Sequence, residues 1–128
     1  MNQPIQALDE FLGLLKAEGR LILTAPFVSL VHFAPYHYCT GFTRYLYEHH
    51  LINRGFTIKE LTPNGDWFDY TEQEITRLGG LECQLGNWSW PLAYVYSLLG
   101  LLYFRLRSNK QAEDLACFGW HCVAVKNS

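Results

Sequence analysis

The chain has 128 residues, of which 49% are hydrophobic and 17% are charged, so it is long enough for one domain and too apolar for a disordered segment. Its formal net charge of −2 argues against nucleic-acid binding, which requires a basic surface. Aromatic residues make up 16% of the sequence and demand a large surface that is buried or covered by a partner.

The first predicted elements are a helix and a short strand. Pro4 suits a first helical turn, and Gly19 supplies a left-handed cap after the helix. The apolar residues between them recur at helical spacing: Ile5, Leu8, Phe11, Leu12 and Leu15. Leu21-Ile22-Leu23 is a continuous apolar run, which predicts a strand covered on both faces, and Pro26 ends it.

A loop rich in aromatic residues and histidine follows at 27–41. Thr40 is a candidate cap for a second helix, which we expect to end near Gly55. The apolar positions of this helix are Phe42, Tyr45, Leu46 and Leu51. Phe56, Ile58 and Leu61 alternate with polar residues and predict a second strand.

The next segment is predicted to be helical. Residues 62–66 form a turn, and Asp66 caps a third helix that we expect to end near Leu78, before Gly79-Gly80. A fourth helix is predicted from Pro91 to about Arg107. The last strand is predicted over 117–126.

The fourth helix is almost entirely apolar from Pro91 to Phe104. About 14 residues fall short of the roughly 20 that span a bilayer, so we expect no transmembrane helix. A buried or partner-facing helix is the interpretation we favour, with interfacial membrane anchoring and dimerisation as the alternatives.

The four cysteines, Cys39, Cys83, Cys117 and Cys122, contain no Cys-x-x-Cys pair. We expect reduced, buried thiols. The first residues lack the features of a signal peptide. Both observations indicate a cytoplasmic protein.

Three segments together resemble a known family. The first segment consists of Ala7-Leu8-Asp9-Glu10-Phe11-Leu12, Leu14-Leu15-Lys16 and Gly19-Arg20-Leu21-Ile22-Leu23-Thr24. It is similar to the helix and fifth strand of class I S-adenosylmethionine-dependent methyltransferases of the type 11 group. Arg54-Gly55-Phe56-Thr57-Ile58 resembles the sixth strand of that family. Residues 118–126 resemble its closing, seventh strand.

The resemblance implies a partial Rossmann-like α/β fold. The family has strand order 3-2-1-4-5-7-6 with an antiparallel seventh strand, and this chain would supply only the 5-7-6 end, with about four helices. Residues 1–128 would then be one partial methyltransferase-like domain with a helical insertion at about 62–114. Strand 21–25 would expose a backbone edge, which is a pairing and aggregation hazard.

The resemblance also implies methyl transfer from S-adenosylmethionine to an unidentified small-molecule or protein acceptor. The family binds this cofactor with a glycine-rich loop, Glu/Asp-x-Gly-x-Gly-x-Gly, whereas this sequence contains no Gly-x-Gly. We therefore assign no cofactor-binding residue and expect the isolated chain to be inactive. Two alternatives stay open: a non-catalytic module or subunit that completes the sheet of a partner chain or of its own copy through strand 21–25, and a truncated gene product.

Candidate acceptor-binding residues follow two predicted strands. Ligands of open α/β sheets bind beyond the carboxyl ends of the strands, which places the loop after Pro26 and the turn after Leu61 on one rim. His37 is the candidate general base, since imidazole titrates near neutrality. The candidate substrate-binding residues are His32, Tyr36, Tyr38, Asn64, Asp66 and Trp67. The alternative is that the aromatic residues only pack the loop.

We expect no metal site and no nucleophile motif. His32, His37, Cys39 and the His49-His50 pair are metal-ligand types, but their spacing does not fix a coordination geometry. The serines lie outside any Gly-x-Ser-x-Gly turn, and no phosphate-binding loop occurs.

Overall fold

The computed structural model describes residues 3–31, 34, 35, 37, 39–106 and 112–128 of the chain. Within these residues it contains four α-helices and three β-strands. In chain order they are α1 (Pro4–Leu14), β1 (Arg20–Pro26), α2 (Arg44–Ile52), β2 (Phe56–Asn64), α3 (Trp67–Gln84), α4 (Trp90–Leu106) and β3 (Gly119–Lys126). The predicted mixed α/β class is therefore confirmed.

The chain divides into two compact units. The sheet unit comprises Met1–Asn64 and Cys117–Ser128, and the hairpin unit comprises Gly65–Ala116. The sheet unit contains α1, α2 and all three strands, whereas the hairpin unit contains α3 and α4.

The sheet unit holds a three-stranded sheet in the order β1-β3-β2. The central strand β3 is antiparallel to both neighbours, so β1 and β2 run parallel to each other. Pro26 and Asn64 both pair with Gly119, and an irregularity between Ile58 and Glu60 adjusts the register of β2. The carboxyl ends of β1 and β2 therefore lie on either side of the first residue of β3.

One face of this sheet forms the core. Because strand side chains alternate, Trp120, Cys122 and Ala124 of β3 all point to the same face. The other buried members of the cluster come from the neighbouring elements: Leu8, Leu21, Tyr47, Leu51, Phe56 and Cys117. The opposite face is open at β1, where Ile22 is 67% exposed. The prediction that this strand is covered on both faces is therefore wrong at Ile22.

Helix α1 ends earlier than the glycine signal predicted. Leu15 is already extended, and the residue with a left-handed backbone is Glu18, with φ of 60°, rather than Gly19. Lys126 Nζ donates hydrogen bonds to the carbonyls of Leu12 (2.9 Å) and Leu15 (2.7 Å). A lysine from β3 thus supplies hydrogen bonds to the free carbonyl groups at the C-terminal end of α1, where a cation is favoured.

The hairpin unit begins with the predicted aspartate cap. Asp66 Oδ1 accepts hydrogen bonds from the backbone N–H groups of Phe68 (2.8 Å) and Asp69 (3.0 Å). The Asp69 carboxylate accepts in turn from the N–H of Asp66 at 3.2 Å, which completes a capping box.

Helix α3 continues to Gln84 through Gly79-Gly80, so the predicted break near Leu78 is wrong. A Cβ atom at Gly79 would lie 2.7 Å from Cγ of Tyr94, whereas one at Gly80 would meet nothing within 4 Å. Gly79 therefore permits the close approach of α4, and the gain in packing offsets the cost of glycine inside a helix.

Small residues of α4 lie against α3 beside the aromatic contacts of Tyr94 and Phe104. The Ser97 hydroxyl donates to the carbonyl oxygens of Ile75 (2.6 Å) and Ala93 (2.8 Å). A Cβ at Gly100 would lie 3.0 Å from Cγ2 of Ile75. Among the described residues, no helix has both the length and the apolar composition needed to cross a membrane.

Candidate functional site at the strand ends

The predicted shared rim is present in the sheet unit. Pro26 and Asn64, the last residues of β1 and β2, both lie opposite Gly119. The chain leaving β1 stays close to this edge, since Phe27 N donates to Phe118 O at 3.0 Å and Phe42 N donates to Pro26 O at 2.8 Å. A Cβ at Gly41 would come within 2.1 Å of Pro26 O, so only glycine allows this return of the chain.

Of the candidate residues predicted in the loop at 27–41, the structure describes only His37. His32, Tyr36 and Tyr38 lie outside the described residues. His37 is half-buried, and Thr40 is exposed, with its carbonyl accepting a 2.7 Å hydrogen bond from the Ser29 hydroxyl.

The predicted residues after β2 have different surroundings. Asn64 is exposed at the rim, and its backbone carbonyl accepts from Phe118 N at 3.0 Å. Asp66 and Trp67 belong to the hairpin unit. Asp66 is buried as the cap of α3, and Trp67 packs edge-on against Phe68 and Phe104, so both residues have structural contacts within that unit.

An apolar cavity of about 300 Å³ lies beside the rim, between α1, β1 and α2. Ala7 and Phe11 line it from α1, Leu23 and Ala25 from β1, and Tyr47 from α2. Gly41 and Cys39 reach it from the loop that leads into α2. None of the described lining residues carries a charge.

Tyr47 contributes to the lining of this cavity, but its hydroxyl is buried and not exposed to it. The side chain is 2% exposed, and among the described residues its hydroxyl has no hydrogen-bond partner. Burial, reinforced by the neighbouring thiols of Cys122 and Cys117, raises the pKa of Tyr47 to about 12. The hydroxyl is therefore protonated at neutral pH and can donate a hydrogen bond.

Sequence reasoning did not find Tyr47. It assigned Tyr45 to the apolar stripe of α2, whereas Tyr45 is exposed and the buried pair is Tyr47 and Leu51. The i,i+4 spacing of these two residues is the signal that identifies the buried face.

The thiols and histidines of the described residues form no further site. Cys117 and Cys122 are buried as predicted, but Cys39 and Cys83 are exposed, so that prediction is wrong for two of the four cysteines. Burial raises the pKa of Cys122 to about 11, which makes its thiol unreactive at neutral pH. The described residues contain no group of three or more His, Cys, Asp or Glu that could hold a metal ion.

His49 and His50 lie edge to face at 5.0 Å near the end of α2. Burial, together with His49 and Arg54, lowers the pKa of His50, so a second positive charge next to Arg54 is disfavoured.

The open face of the sheet carries a polar row. Thr24 Oγ1 lies 3.1 Å from Nδ1 of His121, and Thr62 pairs with His121 from the other side. His121 is exposed and contacts Thr24 within the sheet.

A comparison of the chain with protein-family models, with curated proteins and with solved structures finds no match. The candidate site therefore rests on its own geometry: a rim formed by two strand ends, and beside it a cavity whose described lining residues carry no charge.

Proposed function

We propose that the sheet unit is the 5-7-6 end of a methyltransferase-like sheet, and that its parent activity is methyl transfer from S-adenosylmethionine to an unidentified acceptor. The observation that carries the proposal is the order β1-β3-β2, in which the last strand lies between two parallel strands and runs antiparallel to both. The helix–strand–helix–strand order of α1, β1, α2 and β2 supports the same assignment. This is a proposal from fold and resemblance, which leave the acceptor open.

The residues of this chain do not fit the cofactor itself. S-adenosylmethionine carries a sulfonium, an ammonium and a carboxylate, but the cavity beside the rim is lined without a charged side chain among the described residues. The sequence also has no Gly-x-Gly at which backbone amides could approach the cofactor. We therefore assign to this chain the acceptor side only, with His37 as the candidate base and Asn64 at the rim.

Strand β1 is where the sheet would be extended. It is an outer strand of the described sheet, so its outer edge is available to a further strand. In the proposed assembly this strand and the glycine-rich loop come from a segment outside the three strands described. Methyl transfer then requires that segment.

Calorimetric titration tests this proposal. The 128-residue chain is expected to give no binding heat with S-adenosylmethionine, and micromolar binding would contradict it. The DNA upstream of the Met1 codon, or an adjacent gene, is expected to encode the glycine-rich loop. Its absence from both would also count against the proposal.

The role of His37 is tested in the assembly that contains the loop. His37→Ala is expected to reduce turnover at least tenfold, because a general base contributes about 10²–10⁴-fold. His49→Ala, at the end of α2, serves as the matched control and is expected to leave turnover unchanged. Normal turnover in His37→Ala would remove the base assignment.

A second candidate function is self-assembly, and α4 carries the observation that favours it. Five apolar residues, Leu92, Val95, Leu99, Leu102 and Leu106, recur at alternating spacings of three and four, which is the a/d pattern of a coiled coil. Each is at least 55% exposed. Small residues of α4 face α3, so this apolar seam lies on the other side of the helix.

A second copy of this chain fits the seam. Its five residues are apolar and each is at least 55% exposed, so a partner that covers them removes a continuous apolar surface from water. A heptad seam on one copy is complementary to the same seam on another, because a two-fold axis brings identical residues together. A pair of α3–α4 hairpins would then form a four-helix arrangement.

Light scattering of the purified chain tests self-assembly. We expect a dimer for the unmodified chain and a monomer for Leu99→Glu, which places a charge in the seam. Leu85→Glu, exposed at the end of α3, is the control and is expected to remain dimeric. A monomeric unmodified chain would contradict this candidate function.

A further inference from the structure

We propose that Asn64-Gly65 is a site of spontaneous covalent modification, at which the Asn64 side chain closes on the Gly65 nitrogen to form a succinimide and then opens to an aspartyl or isoaspartyl residue. Asn64 is the last residue of β2, and the sequence contains no other Asn-Gly. The inference does not depend on methyl transfer, because the reaction needs only these two neighbouring residues and water.

The reaction balances without a cofactor or a redox partner. The Gly65 nitrogen attacks Cγ of Asn64, the bond from Cγ to Nδ2 breaks, and Nδ2 leaves as ammonia with the proton of the Gly65 amide. Water then adds to one of the two ring carbonyls. Cleavage of the bond to Cγ gives an aspartyl residue, whereas cleavage of the original peptide bond gives an isoaspartyl residue.

The Asn64 side chain is accessible and its amide group is not engaged. Asn64 is exposed at the end of β2, and among the described residues its side chain makes no hydrogen bond. Two other asparagines differ in this respect. Asn87 Nδ2 donates to a carboxylate oxygen of Glu82 at 2.9 Å, and Asn53 Nδ2 lies 3.3 Å from Nε2 of His49. The amide of Asn64 is therefore the most available leaving group of these three.

Gly65 supplies an open nucleophile. Its nitrogen carries no neighbouring Cβ that would hinder the attack, whereas Asn53 precedes Arg54 and Asn87 precedes Trp88. Among the described residues, no hydrogen bond engages the Gly65 N–H group. Its φ of 70° lies in the left-handed region, where a side chain is disfavoured. The turn thus requires the same residue that makes the dipeptide reactive.

The pairing of β2 restrains the reaction in the folded chain. Phe118 N donates to Asn64 O at 3.0 Å, and Asn64 lies opposite Gly119 in the sheet. Ring closure requires the backbone of Asn64 to leave this paired conformation. We therefore expect modification to follow local opening of the strand end, and to be faster when the chain is unfolded.

Modification would change the charge of the rim. Either product carries a carboxylate at position 64, so the formal net charge of −2 becomes one unit more negative. The isoaspartyl product also inserts one additional atom into the backbone at the end of β2. The cavity beside the rim has no charged residue in its described lining, so a carboxylate at position 64 alters the electrostatics of this edge.

Peptide mapping by mass spectrometry of the full chain tests the proposal after incubation at neutral pH and physiological temperature. We expect deamidation at Asn64 to be about tenfold faster than at Asn53 or Asn87, and ion-exchange chromatography to resolve the more acidic form. The same measurement in guanidinium chloride is expected to give a still faster rate at Asn64, because the strand pairing is absent.

Two glycine variants separate the chemistry from the fold. Gly65→Ala is expected to slow deamidation at Asn64 about tenfold in guanidinium chloride, where any effect on folding is removed. Gly86→Ala, at a glycine with a similar φ of 72°, is the matched control and is expected to leave the rate at Asn64 unchanged.

Two results would overturn the proposal. One is a rate at Asn64 no faster than at Asn53 and Asn87 in the folded chain. The other is an unchanged rate for Gly65→Ala in guanidinium chloride, which would show that the nitrogen of residue 65 is not the nucleophile. Because no methyl donor or acceptor is present, neither result bears on the methyltransferase proposal.

Discussion

The two units of this chain differ in where their large apolar side chains lie. In one unit they lie mostly in a buried core, and in the other mostly on the surface. In the sheet unit, Leu51, Trp120 and Cys122 point into a shared core and are almost fully buried. In the hairpin unit, the helices meet through small residues such as Gly79 and Ser97 and through aromatic contacts of Phe104, and five of the six leucines of α4 are exposed. Although the two units have a similar content of apolar residues, these residues form a buried core in the sheet unit and an exposed apolar surface in the hairpin unit.

The buried apolar residues of the sheet unit contribute to folding stability, whereas the exposed apolar residues of the hairpin unit are available for association. Burial of the large side chains stabilises the sheet unit within one copy of the chain. The hairpin unit instead resembles helix pairs that join through small residues and interhelical hydrogen bonds. Its exposed leucines gain their burial only when a partner covers them, which is why we propose the α4 seam as an interface.

The largest expected effect comes from making the same substitution in both units. Leu51→Ala removes a side chain with 0% exposure and is expected to lower the free energy of unfolding by about 3 kcal/mol. Leu98→Ala, at a position 67% exposed on α4, is expected to change it by less than about 0.5 kcal/mol. Urea unfolding at low protein concentration measures both. Similar losses would mean that the hairpin unit buries its leucines within the chain.

Alkaline pH is expected to lower the free energy of unfolding of the sheet unit. The folded-state pKa of Cys122 is raised to about 11 and that of Tyr47 to about 12, from ordinary values of 9.0 and 10.0. The folded chain therefore retains protons that the unfolded chain has lost. This contribution to stability is complete below pH 9.0 and is lost as the pH rises toward about 12.

We expect the Tm to fall by about 5 °C or more between pH 9 and pH 11. Tyr47→Phe removes one of the two titrating groups and should make the decrease smaller. Tyr45→Phe, an exposed neighbour on α2, should leave the pH profile unchanged. Identical profiles for the two variants would show that Tyr47 is accessible to hydroxide in the folded chain.

Adjacent glycines give effects of opposite sign in the hairpin unit. Gly79→Ala would bring a Cβ to 2.7 Å from the Tyr94 ring, and we expect a loss of about 1 kcal/mol after the gain in helix propensity. Gly80→Ala meets nothing within 4 Å and is expected to stabilise α3 by about 0.5–1 kcal/mol. Thermal unfolding compares the two variants. Stabilisation by both would mean that α3 and α4 do not approach closely at Gly79.

The sequence predicted elements whose signals are local. Asp66 was assigned as a cap from its position after a turn, and the capping box confirms this, because capping depends only on residues within one helical turn. The predicted strands appear for the same reason, since apolar runs and alternation are local patterns.

Features that depend on distant partners were not predictable. Gly79-Gly80 looks like a helix end, but Tyr94 of α4 packs against Gly79 and the helix continues. Leu21-Ile22-Leu23 reads as a strand buried on both sides, although Leu21 is buried and Ile22 is exposed. The cavity at Tyr47 is formed by three elements together, so no single segment of sequence announces it.

The smallest expected effect tests an ionic contact between two segments of the sheet unit. Arg54 Nε donates to Asp9 Oδ1 at 2.6 Å and connects the end of α2 to α1. The hydrogen bond from Arg54 lowers the pKa of Asp9, so its contribution is present at neutral pH and is lost as the pH falls through that lowered pKa. Because the pair is solvent-accessible, we expect Asp9→Asn to lower the Tm by less than about 3 °C at pH 7.

The pH dependence of this small effect distinguishes the ion pair from packing. At a pH low enough to protonate Asp9 in both states, Asp9→Asn and the unmodified chain should have the same Tm, because the charge that the variant removes is already absent. Glu10→Gln, the exposed neighbour, is the matched control for general charge effects. A deficit in Asp9→Asn that persists at acidic pH would show that Asp9 acts through uncharged contacts. The contact between the end of α2 and α1 would then depend on packing and uncharged hydrogen bonds rather than on charge.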